Sequence, residues 1–218
     1  MEQTEPGTCA IVACTVCVEA VHRLEHDKLH GEGTFKWSAA PSAPDRLFIA
    51  CILDATWTPA KGANVGEVLT KIQQMGGVLA TSTAPYALQL PLRSWRSHTW
   101  HDGSGLSPEH VAALLDSHGP CVGVLWVCPW YYHFDARGHE YDALVYRGCG
   151  RGEDDREQSK RLYPGLVGSH AVVCFAYRFC GGGDEMHVLV RDNHDAAANG
   201  PQRWIDVEEI DTISVERA

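Results

Sequence analysis

From Thr8 to Leu24 the chain reads TCAIVACTVCVEAVHRL, apolar around nearly the whole helical circumference and charged only towards its end. This pattern predicts a helix buried in a core. The β-branched residues also suit a strand, but more than twelve residues without a turn signal, preceded by Pro6-Gly7-Thr8, favour the helix. A second helix is predicted in NVGEVLTKIQQMGG, where Val65, Val68, Leu69, Ile72 and Met75 recur at helical spacing before Gly76-Gly77. A third is predicted in SPEHVAALLDSHGP, capped by Ser107, with Pro108 in the first turn and Gly119-Pro120 closing it. Residues 81 to 105 read as a long connection.

Beyond Pro120 the period changes. The runs CVGVLWVC, HAVVCFAYRF and MHVLVRDN are short, apolar and β-rich, each bounded by Gly, Pro or charged residues. The polar stretch GRGEDDREQSK, from Gly150 to Lys160, lacks periodicity and reads as an exposed loop or insertion. A helical first half therefore precedes a mainly β second half, which makes the expected class α+β.

The 218 residues suffice for a substantial core, as one domain or two small lobes sharing a cleft. A formal net charge of −10 and the absence of a basic cluster with interleaved aromatics argue against nucleic acid and anionic lipid as partners. No apolar run reaches the roughly 20 residues that span a bilayer. The segment before Cys9 carries Glu2 and Glu5 and no Lys or Arg, unlike a secretion signal. The nine cysteines are then expected to be reduced thiols in an intracellular setting.

Cys9 falls in the first turn of the predicted buried helix, where the helix dipole and unpaired N–H groups favour thiolate. Cys14 and Cys17 lie deeper, as small packing groups whose burial raises the thiol pKa. They form a CxxC, but no second CxxC or HxxxH stands at ligand spacing, so no metal or other cofactor is expected. GCGRGE lacks the ending of a nucleotide loop, and no GxSxG is present.

A nucleophilic thiol needs a base, and twelve histidines leave the choice to geometry. The segment from Gly168 to Asn193 reads as a β-hairpin whose loop is Gly181 to Asp184. Pairing 180 with 185 places 172 opposite 193, which puts His170 and Asn193 on one face in diagonal contact. The Asn carboxamide would fix the imidazole tautomer and leave the other ring nitrogen to take the Cys9 proton.

These residues resemble the papain family of cysteine peptidases. Gln3, TEPGT and Cys9 reproduce the family's Gln, five residues and catalytic Cys, with Thr8 for Ser. SHAVVCFAY stands in the place of its His-Ala-Val strand, and LVRDN supplies the Asn of the strand that follows. QQMGGVLATSTAPYA and HGPCVGVLW are similar to intermediate segments. The similarity spans roughly Gln3 to Ile213. Family members carry Trp after the Cys, where this chain has Ala10, and Ser-Trp-Gly after the Asn, where it has HDA. Pro6 stands at a usual cysteine position.

The resemblance implies a papain-like two-lobed fold, with a helical lobe over approximately 1–104, an antiparallel β lobe over approximately 105–218 and the active-site cleft between them. It implies catalytic Cys9, His170 and Asn193, and an oxyanion hole from the Gln3 side-chain amide and the Cys9 backbone N–H. Polypeptide substrates, a protein inhibitor or binding partner, and a monomer are expected, in a lysosomal, vacuolar or extracellular setting that contrasts with the missing export signal. The alternative is a degenerate, non-catalytic papain-like domain that binds a protein, motivated by the lost aromatics and told apart by the separation and access of Cys9 and His170.

Overall fold

The computed structural model describes residues 7–40, 43–81, 87–100, 106–133, 145–149, 153–183, 185–192 and 202–217. Among them the helices are α1 (Cys9–His30), α2 (Ala43–Leu53), α3 (Val65–Gln74), α4 (Pro108–His118), α5 (Pro129–His133) and α6 (Glu153–Leu162). The strands are β1 (Ser38–Ala39), β2 (Trp57–Thr58), β3 (Gly62–Ala63), β4 (Val78–Thr81), β5 (Leu88–Leu90) and β6 (Ser94–Thr99) in the first half. They continue as β7 (Cys121–Val127), β8 (Val145–Tyr146), β9 (Gly168–Cys180), β10 (Glu185–Arg191), β11 (Gln202–Asp206) and β12 (Ile210–Arg217). The class is α+β.

A seven-stranded sheet in the order β6-β12-β7-β9-β10-β11-β8 dominates the second half, antiparallel except between β11 and β8. One apolar cluster gathers α1, α2 and α3 and reaches Val122, Ala171 and Val173 on the sheet. A second lies between the sheet and α4, around Leu125, Val188, Ile205 and Ile213. Since β7 and β9 contribute alternate residues to both clusters, they are buried on both faces, which is why they read as continuous apolar runs.

α1 is the helix that touches both halves. Ala10 to Thr15, Cys17, Val18 and Val21 are buried, as all-round apolarity predicts. The helix runs to His30, beyond the apolar stretch, with Lys28 and His30 in its last turn complementing the dipole. The Ser107 cap predicted for α4 is present, its Oγ accepting from His110 N at 3.2 Å, and α3 is capped as well, by the Asn64 side chain, which accepts from Gly66 N at 2.8 Å.

Three expectations are corrected. Residues 81 to 105 are not a bare connection: β5 extends the β1-β4 sheet, and β6 pairs with β12 along Thr212↔Thr99 to Arg217↔Ser94. Half-buried edge strands carry polar residues, so SWRSHT gave no apolar signal. The polar stretch expected to be a loop contains α6, which buries no residue and therefore has no apolar stripe to reveal it. The cysteines are not all reduced: Cys128 and Cys149 form a disulfide, with Cα atoms 6.3 Å apart.

Glu216 of β12 is buried beside Cys17 of α1. Burial pushes its carboxyl up to about 8, an effect the Cys17 thiol only partly offsets. With the folded-state value above the ordinary 4.5, the stability tied to the neutral carboxyl is complete below that value and is lost as pH rises through about 8. Glu216→Gln is therefore expected to raise the melting temperature at pH 8 and to flatten its decline above pH 5. Thermal melts of both proteins across that range check it, and parallel curves would show that Glu216 is not the titrating group.

Candidate active site

Cys9 opens α1, so its sulfur sits at the positive end of the helix, where the first-turn N–H groups have no intrahelical acceptors. The approach to it is built by two glycines. Gly7, at φ +74°, and Gly62, at φ +67°, bring their backbones together; a Cβ on Gly62 would lie 2.9 Å from Gly7 O. The Trp57 indole then donates to Gly7 O at 3.2 Å, tying the β2-β3 hairpin to the start of α1.

His170 lies near the start of β9, buried, within hydrogen-bonding reach of Cys9. Its Nε2 meets Asp192 Oδ1 at 2.9 Å, which leaves Nδ1 for the thiol. The carboxylate is held from behind by Arg203, whose Nη2 is 3.4 Å from Asp192 Oδ2 and whose Nη1 donates to Tyr131 O at 2.8 Å. The Arg203 guanidinium also lies over the Tyr131 ring at 4.6 Å, and that ring meets His170 at 5.5 Å and 63°. All four groups are removed from water.

The third member of this chain is thus Asp192, and a register shift explains it. The hairpin begins as expected, with Cys180 opposite Glu185, but Leu189 pairs with Ala176 and Val190 with Cys174. Phe175 is the extra residue on β9, so Arg191 faces Val173 and the strands run one residue out of the expected register from Val190 on. Asn193 and Gln3 lie outside the described residues. LVRDN contains both candidate residues side by side, and no sequence pattern marks the bulge that brings Asp192 to His170.

Burial opposes a charged Cys9, yet the hydrogen bond and charge of His170, with the backbone groups of Ala171 and Ala10, bring the thiol below its ordinary value. For His170 burial also opposes the charge, but Asp192 and Cys9 outweigh it and lift the imidazole to about 9. The two shifts run in the direction of a thiolate–imidazolium pair. Cys14 and Cys17 behave oppositely: burial drives both thiols well up, and Cys17 Sγ donates to Pro120 O at 3.2 Å.

Cys9 and His170 line a groove of about 890 Å³ that also exposes Asn64, Gly66, Ser97 and Thr212. Its aromatic walls are Trp95 and Trp126, on β6 and β7. Neither was singled out from the sequence, because they come from elements remote from the Cys and His motifs. Tyr131, on α5, likewise went unnoticed within CPWYYH.

Glu185, His187 and Asp206 are the one group among the described residues close enough to hold a metal ion. Arg147 already supplies positive charge there, pairing with Glu185, meeting Asp206 Oδ2 at 3.0 Å and lying 3.3 Å from His187 Nε2. No family model matches the chain, and no curated protein matches it.

If the Asp192 charge holds His170 protonated, Asp192→Asn keeps an acceptor but removes that charge. The His170 titration, followed by NMR, is then expected to fall from about 9 towards or below the ordinary 6.5. An unmoved titration would assign the elevation elsewhere.

Proposed function

We propose that the protein is a cysteine peptidase of papain-like, two-lobed architecture, with the helical and β halves as lobes and the groove between them as the active-site cleft. The observation that carries this is the row Cys9, His170, Asp192 and Arg203, ending with a half-buried Cys9 that lines an open groove.

The Cys9 thiolate attacks a peptide carbonyl carbon, forming a C–S bond and a tetrahedral oxyanion. The Cys9 backbone N–H stabilises that oxyanion, with the Gln3 amide as the second donor implied by the family resemblance; each such donor is worth about 3 kcal/mol in a dry site. Protonated His170 then gives its proton to the leaving amine as the C–N bond breaks. Neutral His170 next takes a proton from water, which attacks the thioester, and the acid product leaves with Cys9 restored as thiolate and His170 as imidazolium. Asp192 keeps Nδ1 aimed at sulfur throughout, as an Asn does in the family pattern.

Contact between Cys9 and His170, and access to the sulfur, favour this over a degenerate binding domain. The disulfide fits an oxidising compartment, in line with the family's lysosomal, vacuolar or extracellular settings.

A peptidyl epoxide that requires an activated thiol should add one equivalent of mass to the wild type. Labelling should vanish in Cys9→Ala, fall about a hundredfold or more in His170→Ala, and persist in Cys14→Ala. A folded wild type that does not label would sink the peptidase reading in favour of the binding domain.

A further inference from the structure

One wall of the groove carries an aromatic ring and a carboxylate that the acyl-transfer chemistry does not use. Trp126 sits opposite Ser169 in the β7-β9 ladder, the residue before His170, so its ring flanks the reacting centre. Asp211 reaches the same groove because the β12-β7 register shifts between Ile210 and Thr212, a bulge that re-aims its side chain. An indole face beside a carboxylate is the chemistry that recognises a guanidinium or ammonium group, by cation–π attraction on one side and a charge-assisted hydrogen bond on the other.

Both positions are taken by cations of the chain itself. Arg156 of α6 lies 5.2 Å from the Trp126 ring and pairs with Asp211 Oδ1, with only 13% of its side chain exposed. Lys160, one turn further on, lies 5.0 Å from the same ring and lines the groove. Two cations on one indole is more than fixing the ring requires. The helix that brings them buries no residue, so these polar contacts, rather than an apolar footing, hold it against the wall. Releasing α6 would therefore uncover little apolar surface, and an incoming cation could take over the contacts Arg156 makes to the ring and the carboxylate.

We propose that Trp126 and Asp211 form a subsite for an Arg or Lys side chain of the polypeptide substrate, and that Arg156 fills it in this structure as an internal competitor. The proposal rests on the peptidase reading for the identity of the ligand as a peptide. The net charge of −10 draws basic peptides towards the protein, while the subsite determines where the cationic side chain lodges.

Binding is measured by calorimetry on the Cys9→Ala protein, which cannot turn substrate over, with capped peptides that differ only in a central arginine or its neutral isostere citrulline. The arginine peptide should bind roughly tenfold tighter, the scale of a desolvated cation–π contact. Asp211→Asn should remove that preference. Arg156→Ala should tighten the arginine peptide severalfold and leave the citrulline peptide unchanged, and Arg156→Gln should reproduce this if the alanine variant is unfolded. Equal affinity for the two peptides, or an arginine affinity that is unchanged or weakened by loss of Arg156, overturns the subsite and leaves Arg156 as a strut for α6. Epoxide labelling of the Cys9-bearing protein is read separately, so failure of the subsite and failure of the peptidase reading give different patterns.

Discussion

The docking of α1 against β9 is the constraint on which the site depends. A cysteine at a helix N-terminus is only mildly activated by the dipole; it becomes a strong nucleophile when an imidazolium is held beside it. Burying Ile11, Ala13, Cys14, Cys17 and Val18 fixes the helix on the sheet, and with it the position of Cys9 relative to His170. The apolar residues of α1 therefore contribute twice, as core and as the mount of the thiol. Cys14 and Cys17 share the helix with Cys9 but lie inside that mount, and the same burial that orders the helix keeps their thiols protonated.

Behind the thiol, groups of alternating charge type follow inward: imidazole, carboxyl, guanidinium. An isolated buried ion is costly, and each member of this row is offset by its neighbours, so the arrangement stands or falls as a unit. Arg203 matters here because an Asp, unlike an Asn, brings a full negative charge into the interior. Its guanidinium balances that charge and, through Tyr131, fixes the ring that walls the His170 side. Where a neutral amide needs only a dry setting, a carboxylate needs a counter-charge, and this chain supplies one from β11.

Much of this was readable from periodicity. The buried helix, the Ser107 cap of α4, the long hairpin and the meeting of Cys9 with His170 all follow from local patterns with a single physical cause each. What escaped was set by tertiary context. The bulge at Phe175 brings Asp192 to His170 without a sequence mark. β6 and α6 bury too little to show a stripe. The Cys128–Cys149 bond depends on two loops meeting, which spacing does not encode.

The aromatic residues tell the same story from the functional side. Measured against the papain pattern, Ala10 and the HDA that follows Asn193 look like losses that would leave the imidazole wet. Shielding, however, is a property of space and not of sequence neighbours: any ring that excludes water from the His–carboxylate contact strengthens it. Tyr131 meets His170 from α5, while Trp95 and Trp126 wall the groove from β6 and β7. A motif can therefore lose its flanking aromatics while the site keeps aromatic walls. It follows that an inactive papain-like domain is better diagnosed from the contact between thiol and imidazole and from access to the sulfur than from residues missing beside them.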